Sequence, residues 1–256
     1  MNQHQEPAYL LYKNPLAEAD AIAHLLAAQG GHLQARIKGA KSLQRGFLYN
    51  PGDLLLIQYE TSETTDFIRL TSHQPLVQRD WSRLGYRASL GWNLLLELVG
   101  RLAGKGLEPA ALFALLQEAG TWNWEQEPTA KLVFAGCWQL LRHSGVAFSW
   151  QACQVCGRPS YRLEGAVPQF RKAQYRLQAG GLACGACVAP GLLDAAMIKV
   201  LWLAKSGQNL DAVPEALFRQ WIRELISYLR QQFQVQVNSL PLWDQLRAEG
   251  DGSRDS

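Results

Sequence analysis

Cys153-Gln154-Val155-Cys156-Gly157 and Cys184-Gly185-Ala186-Cys187, with residues 157–183 between the two pairs, decide how this chain is read. Each Cys-x-x-Cys closes a short turn in which both sulfurs face one point. Together the pairs supply Cys153, Cys156, Cys184 and Cys187 as the four thiolates of a tetrahedral structural zinc, with sulfurs roughly 2.3 Å from the metal. Gly157 and Gly185 suit tight turns beside the sulfurs, where a Cβ would clash. A redox dithiol and a pair of disulfides compete with this reading. Redox chemistry of the thioredoxin kind wants a strand before the motif and a helix opening at it, whereas 149–152 and the proline-containing sequel read as loop. The zinc reading is therefore carried forward.

The net charge of +3 is concentrated in the same segment. Between 151 and 191, Arg158, Arg162, Arg171, Lys172 and Arg176 are opposed only by Glu164. A basic surface on a metal-pinned loop suits phosphate contact, and it equally suits a solvated loop. The odd cysteine, Cys137, lies beside Phe134 and Trp138 in a helical pattern and reads as a small buried apolar residue.

Upstream, the pattern is that of short strands. Residues 8–13 form an apolar run ended by Asn14-Pro15. Residues 18–29 favour helix by propensity and stop at Gly30-Gly31. From 31 to 38 the chain alternates, with Leu33, Ala35 and Ile37 on one face and His32, Gln34, Arg36 and Lys38 on the other. Lys41 and Arg45 extend this into a short positive run, with Phe47 and Tyr49 just beyond. Asn50-Pro51-Gly52-Asp53 is a turn, 54–59 a strand, 61–66 a polar turn and 67–71 a further strand. Such punctuation over residues 1–77 predicts a small antiparallel barrel. Cations beside aromatics on a barrel suit a single-stranded nucleic acid, although aromatics in so small a barrel are usually core.

After Pro75 the period becomes helical. Helices are expected over 80–104, 109–118, 128–142, 190–205 and 214–233. The last shows Leu217, Phe218, Trp221, Ile222, Leu225, Ile226, Leu229 and Phe233 as one apolar stripe. Trp122 and Trp124 are expected to pack against helices. The fold class is thus α+β: a barrel at 1–77, a helical domain at 78–248 with a zinc-binding insert at 150–190, and a disordered tail at 249–256. No apolar run reaches the length of a membrane span, and residues 1–7 lack a signal-peptide core, so the expected location is the cytoplasm. No phosphate-cradling glycine loop or Ser, His and Asp set emerges, and four cysteines leave a metal no open position, so no enzyme activity is expected.

The barrel with Arg-Ile-Lys-Gly-Ala-Lys at 36–41, the helical stretch, Cys-x-x-Cys-Gly at 153–157, Gly-Gly-Leu-x-Cys-x-x-Cys at 180–187 and Asn-Ser-Leu-Pro-Leu at 238–242 together resemble the RecO family of bacterial recombination mediators. The resemblance spans about 8–246. It departs at 21–27, where the family places a strand and propensity favours helix, and after Lys41, where the loop is less basic than in many members. It implies an OB-fold, a helical core, a zinc site and a nucleoid-associated bacterial protein. It further implies binding of single- and double-stranded DNA, strand annealing, work with RecR and RecF, and loading of RecA onto strands coated by single-strand-binding protein. Arg36, Lys38, Lys41 and Arg45 are then the expected barrel contacts, with Arg171, Lys172 and Arg176 as a second patch. A scaffold recognising acidic peptides without DNA, and a thiol oxidoreductase, are the readings from other classes.

Overall fold

The structure, a computed structural model, describes residues 2–16, 20–38, 49–62, 64–78, 83–105, 107–146, 148–165, 167–189 and 191–245. Lys41, Arg45, Phe47, Trp81 and the tail expected at 249–256 lie outside the described residues. The chain forms two compact units, residues 1–129 with 236–256, and residues 130–235.

The first unit begins with strands β1 (Asn2–Pro15), β2 (Ala21–Ala27), β3 (Gly31–Ile37), β4 (Leu54–Ser62) and β5 (Thr65–Val77). They close in the order β1-β2-β3-β5-β4, with β1 paired to both β2 and β4. The pairings are antiparallel except where Gln34 and Ala35 meet Phe67 and Ile68 in parallel. This one parallel seam corrects the all-antiparallel expectation. Alternate residues fill the interior, among them Ala8, Leu10, Ala23, Leu25, Ala27, Leu55, Ile57 and Tyr59. The Asn50–Asp53 turn forms as expected: the Asn50 amide donates to the Asp53 carboxylate at 2.8 Å, and Leu10 N–H reaches Asp53 O at 3.0 Å.

Residues 21–27 form a strand, not the helix that propensity favours. A helix this short gains little from propensity, tenths of a kcal/mol per residue at most. As β2 the segment pairs along both edges and buries all its residues but Ile22. Leu25 and Leu26 are wholly inaccessible, and each such burial contributes about 1.5–3 kcal/mol. Tertiary burial decides the conformation. Helices α1 (Gly85–Ala103) and α2 (Pro109–Thr121) pack on the outer face of β2 and belong to the same compact unit as the barrel. The change of period after Pro75 thus marks the end of the strands and not the edge of a unit. Trp124 is buried as expected, its indole N–H donating to Ala119 O at 2.9 Å.

The covered face of β2 holds a polar cluster. His24 stacks on Tyr12 at 4.2 Å; its Nδ1 lies 3.2 Å from His32 Nε2, and its Nε2 lies 3.2 Å from the Asn14 amide. Arg101 of α1 sits 5.9 Å above the Tyr12 ring. Burial, then the charges of His32 and Arg101, bring the His24 pKa down to about 4. The unfolded chain protonates His24 near 6.5 and the folded chain does so only near 4. The stability contributed by the neutral ring is therefore whole above about pH 6.5 and is lost as pH falls through that window, by about 3 kcal/mol in all. Melting temperature is expected to fall more steeply from pH 6.5 to 4 in the native chain than in His24→Gln. Parallel curves would remove His24 as the cause.

In the second unit, α3 (Thr129–His143), α4 (Ala195–Lys205) and α5 (Glu215–Phe233) surround an aromatic core. Phe134 meets Phe218 at 5.4 Å, and Phe148 meets both Tyr228 at 5.3 Å and Trp221 at 6.3 Å. The α5 stripe is buried at Phe218, Trp221, Ile222, Leu225, Ile226 and Leu229, with Leu217 and Phe233 half-buried at its ends. Cys137 is fully buried and its thiol is pushed up to about 12 by burial, as a small apolar residue would be placed. Helix α4 starts later than the expected 190, because Leu193 pairs with Tyr175 and Asp194 caps the helix through Met197 N–H at 3.0 Å. Gly191 is required there: a Cβ would fall 2.0 Å from Tyr175 O. The final helix of the first unit, α6 (Leu240–Gln245), contains the Leu-Pro-Leu segment, and Glu97 accepts from the Asn238 and Ser239 amides ahead of it. Among the described residues no helix is long and apolar enough to cross a membrane.

Candidate metal centre and basic surfaces

The metal segment is more ordered than a loop. Two hairpins occupy it, β6 (Tyr161–Glu164) with β7 (Val167–Phe170) and β8 (Tyr175–Gln178) with β9 (Gly181–Cys184). Cys153 and Cys156 flank a turn in which Gly157 N–H donates to Cys153 O and Cys153 N–H to Arg158 O, both at 2.8 Å. Gly157 takes φ +69°, a conformation that other residues resist, while Gly185 takes no positive φ. Cys184 ends β9, and the next turn returns Cys187 N–H to Cys184 O at 2.9 Å. Hydrogen bonds that cross from one pair to the other hold the two turns together, Cys184 N–H to Cys153 Sγ at 3.3 Å and Gln154 N–H to Leu182 O at 2.8 Å.

All four sulfurs lie within 4.8 Å of one another, with Cys156–Cys184 at 3.8 Å and Cys184–Cys187 at 3.6 Å. Sulfurs about 2.3 Å from the centre of a tetrahedron stand about 3.8 Å apart, so the spacing fits an ion bound by four thiolates. None of the cysteines is joined in a disulfide, which sets that reading aside. Their proton affinities conflict. Burial raises the Cys153 thiol, but the N–H groups of Cys184, Cys156 and Val155 outweigh it and bring the pKa to about 6. Bonds to Cys156 and Cys184 push Cys187 up to about 12. A divalent cation relieves the conflict by letting all four ionise together.

The basic residues fall into different settings. Arg36, on β3, is exposed yet bound to Asp20 by Nε and Nη2 at 3.2 and 2.9 Å. Lys38 follows the strand and is exposed. The strand's other face is not uniformly basic, since His32 and Gln34 are half-buried. Lys41 and Arg45 lie outside the described residues. Arg171 is half-buried after β7, Lys172 is exposed beside it, and Arg176 on β8 lies near Glu224 of α5, whose carboxyl is raised by burial and drawn back by that guanidinium. The structure adds Arg158, which joins Arg171 at one cleft. Its sequence signal was its place two residues after Cys156 in a segment poor in acids.

A closed five-stranded barrel continuing into helices, with a second, helical unit bearing four clustered cysteines that could hold a metal ion, defines the class: an α+β protein with a candidate metal site. No family model matches the chain. Over 195 residues it is 28% identical to a curated protein of Frankia casuarinae named DNA repair protein RecO, covering 73% of this chain and 74% of that one. The chain is thus similar to a RecO protein, of the family that the cysteine motifs and the 36–41 segment resemble.

Proposed function

We propose that this protein is a non-enzymatic mediator of DNA repair and recombination. It binds single- and double-stranded DNA, anneals complementary strands and helps load RecA onto strands coated by single-strand-binding protein, with RecR and RecF as further partners, in the bacterial cytoplasm. The observation that carries the reading is the similarity, over most of both chains, to a protein named for DNA repair. The strand order supports an OB-fold for the barrel, a fold whose surface suits oligonucleotides. In the same proposal the four cysteines hold zinc, which supplies no reaction step and fixes the segment between 153 and 187.

Phosphate contacts of this kind release counterions, so affinity should fall with salt. Lys38 is the stronger barrel candidate, because Arg36 already spends its charge on Asp20. Lys38→Ala should lower the log–log salt slope for a single-stranded oligonucleotide by about 0.7, the value for one lost phosphate contact. Arg36→Ala should change it less. A fluorescent oligonucleotide titrated across a salt series reads both. No binding at low salt, with an acidic peptide still bound, would replace the mediator with the peptide-recognising scaffold.

A further inference from the structure

Beside the four cysteines lies a cleft of about 330 Å³, lined by Arg158, Arg171, Gln174, Tyr175, Cys184 and Gly185 among others, with no carboxylate among the described residues of its wall. Its size is at the small end of ligand pockets. We propose that Arg158 and Arg171 form a discrete phosphate-binding site in this cleft, whose ligand is a phosphate group of nucleic acid; this rests on the DNA-binding reading above and assigns it a particular contact.

Three observations carry the assignment. The first is the pairing state: among the described residues neither Arg158 nor Arg171 is in an ion pair, whereas Arg36, Arg69, Arg101 and Arg219 each have a carboxylate. The second is convergence. The arginines come from different turns, yet Cys153 N–H holds Arg158 O at 2.8 Å, and Arg171 N–H is held by Ser160 O at 3.0 Å. Two planar guanidiniums rooted so close together offer the forked donors that a tetrahedral oxyanion accepts. The third is the wall. Tyr175, which lines the cleft with both arginines, is 2% exposed, so one side of the site is a buried ring against which an ion contact is strengthened.

The frame of the site is also the frame of the metal. Cys153 is a thiolate donor to the ion and the amide that fixes Arg158, while Gly185, next to Cys184, is tied by its N–H to Gln174 O at 2.9 Å. Metal loading therefore holds the arginines in place. A rival role must be separated from this one: four thiolates around a divalent ion leave a net dianion, and the arginines would then serve only to offset it.

The test uses the zinc-loaded full chain, with inorganic phosphate as probe and phosphorus-31 line broadening as readout. The native protein should show saturable broadening that disappears on chelation. Arg158→Gln with Arg171→Gln should weaken it at least tenfold at unchanged zinc content, and should lower the oligonucleotide salt slope by about 0.7. Arg171→Lys, which keeps the charge and removes the fork, should retain zinc and still weaken phosphate binding. Absence of saturable broadening in the native chain, full binding in the double variant, zinc loss in both variants, or an acidic peptide binding where phosphate does not, would each overturn the site. Oligonucleotides with a 5′-phosphate and a 5′-hydroxyl distinguish a terminal monoester, bound better with the phosphate, from an internal diester, bound equally. Undiminished oligonucleotide binding by the double variant would leave the mediator reading standing without this site; phosphate binding without oligonucleotide binding would do the reverse.

Discussion

Cys184→Ser is expected to abolish stoichiometric zinc binding and to unfold the segment between the two cysteine pairs. The native chain should carry one equivalent of zinc by elemental analysis. Cys184 is the junction of the centre: it is 7% exposed, its sulfur lies 3.8 Å from Cys156 and 3.6 Å from Cys187, and its amide donates to Cys153 Sγ. A serine hydroxyl neither ionises near neutral pH nor reaches a thiolate's length. Metal binding in small zinc modules supplies on the order of 10–16 kcal/mol at neutral pH, much of it folding energy. Strands of four residues with mostly exposed faces, such as β6 and β7, have beyond this only the ring contacts of Tyr161 with Trp150 and of Phe170 with Tyr161 and Trp202 to hold them. Limited proteolysis should therefore cut the variant, and the chelated native chain, between 157 and 183 well before the helices. A variant that loses zinc but resists protease like the native chain would show that hydrogen bonds and packing alone hold the hairpins.

The clustering of the four cysteines was legible because its determinants are local. Two cysteines three residues apart and a glycine able to take positive φ describe a turn almost by themselves. The turn at 50–53 and the buried stripe of α5 could be read for the same reason. Strand β2 could not, since what makes Ala21–Ala27 a strand is the pair of edges offered by β1 and β3 and the cover given by two later helices. The hairpins at 161–184 were missed because four-residue strands carry too little alternation to detect. The basic residues show the limit most clearly. Arg36 and Arg158 look alike in sequence, yet Asp20 neutralises the first and no acid meets the second among the described residues. Charge runs report supply; only the fold shows which charges are already engaged.

Trp221→Ala should cost the second unit about 3–5 kcal/mol, the range for deleting a large buried aromatic. The indole is wholly inaccessible, stacks with Phe148 at 6.3 Å, and donates from Nε1 to Met197 O at 2.8 Å, so it joins α5 to α4 as well as filling the core. Two terms separate. Trp221→Phe retains most of the ring volume and loses the donor, leaving Met197 O without that partner at the first turn of α4; about 1–2 kcal/mol is expected. Trp221→Ala adds the cavity, and Phe148, which also contacts Trp138 and Tyr228, loses one side of its packing. Small domains of this kind have only about 5–15 kcal/mol in total, so the alanine variant should unfold at markedly lower urea while Phe lies between. Urea melts of the zinc-loaded proteins, followed by circular dichroism, measure both. Equal losses for Phe and Ala would assign the effect to the hydrogen bond, and a negligible loss for Ala would mean that the aromatic core closes around the gap.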